Sequence, residues 1–181
     1  MSEIMDTIQT RRSIRRYQEK AIPDEILNRV LEAARWAPSW ANTQCWHFVV
    51  VKNTETKKQI QEAVSPRNPS SLAIVNAPVL LVVCGQLKRS GYYNGEYPTK
   101  FGDWFMYDLG LATQNLCLAA HDSGLATVIV GLFDHDKVAE TIKLPSEHEV
   151  LVLIPLGYPD HEPSPPKRRE LKEFVHYDSF E

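Results

Sequence analysis

The sequence predicts one domain of the α/β or α+β class, a central β-sheet flanked by helices. Three observations predict it. Four short runs rich in β-branched residues, Trp46 to Val51, Val79 to Val83, Leu125 to Val130 and Val150 to Ile154, read as buried strands. Segments with helical spacing of apolar residues separate them. The length, 181 residues, suits one domain with one sizeable core.

In chain order, Pro23 suits a first helical turn, and Asp24 and Glu25 favour its positive end. Ile26, Leu27, Val30, Leu31 and Ala34 form one apolar stripe, which Pro38 ends. Thr54 reads as the N-cap of a polar helix through about Val64. From Asp103 to His121 the pattern is apolar almost all round, as in a helix buried in a core or against another chain. Asp134 caps a short helix carrying Val138, Ala139 and Ile142, with Phe133 and Val138 at the positions of a hydrophobic staple. Leu87 to Gly102, with three glycines and three tyrosines, is either a disordered surface loop or a lid over a pocket, and its aromatic content favours the lid. Pro155 to Pro166 carries five prolines and reads as an extended connector. Residues 167–181 then form a tail that must dock on something, and Glu173 to Tyr177 could add an edge strand.

Hydrophobic residues make up 43% of the chain and charged residues 24%, an ordinary globular mix. Twenty basic residues against 23 acidic ones give a net charge of −3, which argues against a nucleic-acid binder. Cys45, Cys84 and Cys117 are widely spaced and odd in number, which points to a reducing compartment rather than a disulfide framework. The apolar runs are too short for a membrane span, and the N-terminus has no basic stretch leading into an apolar one. A cytoplasmic protein away from membranes is expected.

The common catalytic fingerprints are missing: GxGxxG after a strand, GxxxxGK[ST], HExxH and GxSxG. Asp134-His135-Asp136 is a helix start rather than a metal cluster, and Cys45 beside His47 has no third group to orient it. Four motifs remain. Thr10 to Tyr17 holds four arginines, Arg11, Arg12, Arg15 and Arg16. Arg11 and Arg15 share a side in an extended or a helical segment, and Ser13 joins them if it is extended. Guanidinium forks plus a hydroxyl are what a phosphate monoester needs, although such a run can equally be a solvated basic stretch. Ala37 to Trp46 is a polar turn in which the Asn42 and Gln44 amides match the edges of a flat heterocycle. Val130 to Asp134 passes from strand to helix within a few residues, a place where ligands settle in sheet proteins. Pro165 to Leu171 carries the basic triplet Lys167, Arg168 and Arg169.

Taken in this order, the motifs resemble the nitroreductase family of FMN-dependent, NAD(P)H-using oxidoreductases, over nearly the whole chain. Its Arg-Arg-Ser-x-Arg opening is matched by Arg11, Arg12, Ser13 and Arg15, and its Ala-Pro-Ser-x-x-Asn-x-Gln-Pro-Trp signature by Ala37 to Trp46. Asn115 to Ala120, Gly124 to Phe133, Leu156 to Pro159 and the basic Arg168 match the rest. Cys45 stands where proline is usual and Trp40 where a small residue is usual. Pro166 stands where a second basic residue is sometimes found, which leaves the tail contact mainly to Arg168.

The resemblance implies an α+β fold with a nitroreductase-like central mixed β-sheet. It implies a single FMN-binding domain over residues 1–181, with 87–102 a substrate-pocket loop and 155–181 an extended C-terminal tail docking on the partner chain. The partner is a second copy, in a homodimer with FMN at the subunit interface. By likeness, Arg11, Arg12, Ser13, Arg15 and Arg168 hold the phosphate, ribityl chain and pyrimidine edge from one chain. Pro38, Ser39, Asn42 and Gln44 come from the other, and the Val130, Gly131 and Leu132 backbone faces the isoalloxazine edge. NAD(P)H is then a transient donor whose hydride passes by way of flavin N5 to a nitroaromatic, quinone or enone, in a ping-pong cycle. No catalytic side chain and no metal are expected. Other readings are a specialised enzyme of the same fold, reductive dehalogenase or flavin-consuming, and a non-enzymatic FMN-binding protein for storage or redox sensing.

Overall fold

A computed structural model describes residues 3–180; the expected domain also takes in residues 1, 2 and 181, which lie outside the described residues. The elements run α1 (Glu3–Thr10), α2 (Asp24–Arg35), β1 (Trp46–Val51), α3 (Thr54–Gln61), α4 (Ser71–Asn76), β2 (Val79–Gln86), α5 (Phe105–Asp122), β3 (Ala126–Thr127), α6 (His135–Thr141) and β4 (His148–Gly157). Short 3₁₀ turns lie at Trp40–Asn42 and Leu171–Glu173. The fold is α+β. The sheet order is β1-β2-β4-β3, and each of these pairs is antiparallel. The parallel component of the expected mixed sheet is a single bridge, Ser13 to Thr127.

β2 is buried on both faces, and its alternation divides the core. Val79, Leu81 and Val83 pack with α2 and α5, against Val30, Leu109 and Leu116. Leu80, Val82 and Cys84 point the other way, to Ile60 of α3, Ile74 of α4 and Val138 of α6. Helices therefore cover both faces of the sheet, which is why β2 reads as a continuous apolar run. α5 buries Leu109, Ala112, Leu116 and Ala120 against this core, while Met106, Tyr107 and Gln114 are exposed, so its all-round apolarity is only half used within the chain.

The run Leu125 to Val130 is not one strand. Ala126 and Thr127 pair with Gly157 and Leu156, and Val130 pairs with Leu153 in the same register. That register sets Val128 opposite Pro155, which has no N–H to give it, so the ladder breaks there. The Pro155 carbonyl instead accepts from the Tyr17 hydroxyl at 3.1 Å, and Ile14 O lies 2.7 Å from the same hydroxyl. Burial pushes the Tyr17 hydroxyl pKa up, so it remains a donor. β4 continues through Pro155 to Gly157, and the proline-rich connector begins only beyond it.

Other expectations shift by smaller amounts. The α3 cap is Asn53, whose Oδ1 accepts from the Thr56 N–H at 2.9 Å, rather than Thr54. Asp134 caps α6, accepting from the Lys137 N–H at 3.1 Å. The 87–102 segment is a loop with turns of its own. Within it Tyr93 and Glu96 exchange backbone hydrogen bonds across Asn94 and Gly95, both with positive φ, which makes a tight hairpin. Residues 173–177 form no strand: the tail turns through Leu171–Glu173 behind a Glu170/Glu173 capping box, and residues 167–180 are all exposed. Among the described residues no helix is long and apolar enough to cross a membrane.

Candidate functional site

The arginine segment is extended. Ile14 N–H donates to Thr127 O at 3.0 Å, and Tyr17 bridges to Pro159, so the strand 11–17 runs along the β3 edge of the sheet. Ile14 and Tyr17 are buried in the core, which turns Arg11, Arg12, Ser13 and Arg15 outward. Together with Arg168, Pro163, Ser164 and Pro166 these four residues line one cavity of about 450 Å³. The tail thus brings Arg168 beside the arginine strand.

Among the described residues no carboxylate lies within ion-pair distance of Arg11, Arg12, Arg15 or Arg168. Arg12 Nη1 donates only to the carbonyls of Gln9 and Arg11, at 2.6 and 2.9 Å. Four guanidinium groups and a hydroxyl thus line one cavity, the kinds of donor that a phosphate monoester would need.

Residues that the sequence motifs do not mark connect this cluster to the Val130–Leu132 turn. Arg15 Nε donates to Ser70 Oγ at 3.0 Å. Asn68 Oδ1 accepts from the Ser70 N–H at 2.9 Å, and Asn68 Nδ2 reaches Leu132 O at 3.4 Å. Gly131 and Leu132 are exposed at the end of this chain of contacts, Leu132 at 74%.

The Pro38–Gln44 turn lies elsewhere: Pro38 and Ser39 line a different cavity, of about 270 Å³, with Trp40, Trp104, Tyr107, Asp108 and Leu111. Ala41, Asn42 and Gln44 have φ of 44°, 56° and 50°. Left-handed backbone at residues other than glycine costs about 1–3 kcal/mol each and clusters at binding sites. The turn is held by Ser39 Oγ, which accepts from the Gln44 N–H at 2.9 Å, and by Gln44 Nε2 donating to Asn42 Oδ1 at 3.1 Å. Thr43 Oγ1 is buried there with no hydrogen-bond partner among the described residues.

Behind the arginine strand a further cavity of about 510 Å³ is lined by Arg11, Arg12, Cys117, His121, His161 and Glu162 among others. His121 Nε2 lies 2.8 Å from Thr10 Oγ1. Its pKa is held below the usual imidazole range, first by burial and then by the Arg11 and Arg12 charges. His47 is lowered as well, by burial, then His148 and Arg89. Both bind a proton less readily folded than unfolded. The stability they carry is therefore present above the unfolded value, about 6.5, and is lost as pH falls through the lower folded value. The urea midpoint of the protein without added cofactor should drop as pH falls from neutral towards 5.5, and the slope should be flatter in His121→Gln. Among the described residues no three His, Cys, Asp or Glu side chains are grouped to hold a metal.

The Nitroreductase family model matches residues 8–73 and 69–158. A protein of Methanothermobacter thermautotrophicus, provisionally named an NADH dehydrogenase/NAD(P)H nitroreductase, is 33% identical over 165 residues, covering 89% of this chain and 80% of that protein. Iodotyrosine deiodinase of Thermotoga neapolitana is 27% identical over 188 residues, covering 99% of this chain and all, 100%, of that one. The solved structure of an FMN-dependent nitroreductase of Clostridium difficile superposes with a TM-score of 0.81 at 24% identity, covering 97% of this chain and 99% of that one.

Proposed function

The chain belongs to the nitroreductase family, and from that premise we propose that it is an FMN-dependent oxidoreductase taking hydride from NAD(P)H and passing it to an electrophilic acceptor. The observation that carries the reading is the arginine cluster, with Ser13 and Arg168, on one cavity. It fits the phosphate of FMN, and the left-handed Pro38–Gln44 turn with its unpartnered Thr43 hydroxyl fits an adaptable wall for a flat ring.

In this proposal Arg11, Arg12, Ser13, Arg15 and Arg168 hold the phosphate, ribityl chain and pyrimidine edge. The Val130–Leu132 backbone faces the ring edge, and the turn carrying Pro38, Ser39, Asn42 and Gln44 comes from the second copy of a homodimer. The two parts line separate cavities within one chain, which supports a site shared between copies. So do the exposed apolar residues Ile4, Met5 and Ile8 of α1, a helix with no fully buried residue among those described, and the exposed tail. When bound, FMN supplies the hydride chemistry, first from NAD(P)H and then to a nitroaromatic, quinone or enone, in alternation. The protein's own residues would bind the phosphate and orient the ring, and the proton that accompanies each hydride to the acceptor would come from solvent.

A second reading, reductive dehalogenation, is favoured by the likeness to a deiodinase along the whole chain. It predicts turnover of an iodophenol by the reduced protein, which the first reading does not.

The FMN reading is tested by reconstitution: about one FMN per chain, retained on gel filtration. A colourless protein that takes up no FMN would overturn it. Gly131→Ala is a sharper probe. A Cβ there would meet only Val152 Cγ1, at 3.9 Å, so the chain itself tolerates it. The variant should unfold at the same denaturant concentration as the parent and bind FMN more weakly, because the methyl stands where the ring edge is placed.

A further inference from the structure

Asp108 is a carboxylate buried without a cation. It is 1% exposed, lies in the first turn of α5, and takes part in no ion pair among the described residues. A buried charge needs donors instead. Asp108 has three: the Trp40 N–H, 3.1 and 3.2 Å from its two oxygens, the Ser90 hydroxyl at 2.6 Å and the Cys45 thiol at 3.7 Å. Its place near the positive end of α5 also favours the charge.

These donors come from two segments. Trp40 and Cys45 belong to the turn that carries Pro38, Ser39, Asn42 and Gln44. Ser90 belongs to the 87–103 loop. Lesser ties run alongside: Arg89 Nε donates to Thr43 O at 3.1 Å, the Trp104 N–H to Ser90 O at 3.0 Å, and the Trp40 and Trp104 rings lie 5.1 Å apart. Gly91, at φ +69°, lets the loop close on Trp104, since a Cβ there would stand 2.4 Å from Trp104 Cδ1. An amide could cap the turn. The carboxylate also accepts a short charge-assisted bond from Ser90. Burial and the Asp108 charge push the Cys45 thiol up to about 12, which keeps it a donor.

We propose that Asp108 is a positioning residue whose one carboxylate couples the Pro38–Gln44 turn to the 87–103 loop, so that the flavin-facing turn and the aromatic wall of Trp40, Trp104 and Tyr107 are set as a unit. Its link to the flavin rests on the proposed function; the coupling of the two segments does not. Ser90→Ala releases the loop and leaves the turn held. Asp108→Ala releases both.

Three readouts separate the possibilities. The first is the rate of tryptic cleavage after Lys88, Arg89 and Lys100 in protein without added FMN. The second is the near-ultraviolet circular dichroism of the Trp40–Trp104 pair. The third is FMN affinity, with kcat and KM for a simple quinone. Both variants should be cut in the loop about tenfold faster than the parent, because one charge-assisted bond no longer opposes local opening. Both should lose part of the tryptophan signal. Ser90→Ala should keep FMN affinity and raise quinone KM with kcat nearly unchanged, the mark of lost positioning. Asp108→Ala should also bind FMN about tenfold more weakly. Cleavage spread over the whole chain in step with lost global stability, with the tryptophan signal intact, would overturn the proposal. If Asp108→Ala does not fold, Ser90→Ala alone decides by the same criteria. If the loop and tryptophan readouts respond but the parent binds no FMN, the coupling stands and the flavin reading falls.

Discussion

Arg11→Ala should weaken FMN binding by about 10- to 100-fold, the effect of losing a charge-assisted hydrogen bond of about 1.5–3 kcal/mol. The protein without FMN should at the same time be as stable as the parent or slightly more so. Arg11 is half-buried in a cluster with Arg12, Ser13, Arg15 and Arg168, and no carboxylate pairs with it among the described residues. Like charges held together without a counter-ion repel one another, so removing one relieves the folded state. Affinity and stability should move in opposite directions, as they do where a site is arranged for a ligand rather than for the fold. Fluorescence titration with FMN and a urea melt of the same preparation read both. A loss of stability with unchanged affinity would make Arg11 a structural residue and leave the phosphate to the others.

Leu116→Ala should produce the largest loss of stability among these substitutions, about 2–5 kcal/mol from lost burial and the cavity left behind. Leu116 is 0% exposed on α5 and packs with Val79, Leu81 and Val83 of β2, between the sheet and α2. For a chain of this size each kcal/mol lowers the melting temperature by about 2–4 °C, so a fall of about 5–15 °C is expected. Leu132→Ala is the control. Leu132 is 74% exposed in its own chain, so its truncation should leave the isolated fold unchanged. If two copies associate through exposed surface, melting should also depend on protein concentration, which scanning calorimetry at two concentrations would show.

Local chemistry was the legible part of this fold. β1 has the bounds its β-branched run suggests, Trp46–Val51, and the α6 cap is the expected Asp134. What escaped was decided across the chain. The Leu125 to Val130 run breaks because Pro155, on another strand, faces Val128, and no pattern within the run records that. α4 has six residues and α1 eight, both short for an apolar stripe to be counted. The Asn94-Gly95 pair at the head of the 93–96 hairpin was a readable signal that the lid question obscured.

The site divides the same way. Four arginines within six residues are legible in the chain as a candidate anion site, which the run alone does not separate from a solvated basic stretch. Ser70 and Asn68 do not, since they act through bonds spanning 55 and 64 residues, to Arg15 and Leu132. Asp108 had a faint signal: an acid in the interior of a helix otherwise apolar on nearly every side.

The most direct test is an anaerobic titration of the FMN-reconstituted protein. NADH or NADPH, added in turn, should bleach the flavin absorption with about one equivalent per flavin, and a quinone or nitroaromatic added afterwards should restore it. Arg11→Ala should reach the same end point only at raised FMN. A protein that holds FMN tightly but is bleached by neither nucleotide, while dithionite bleaches it, would contradict the account and leave a flavin carrier in its place.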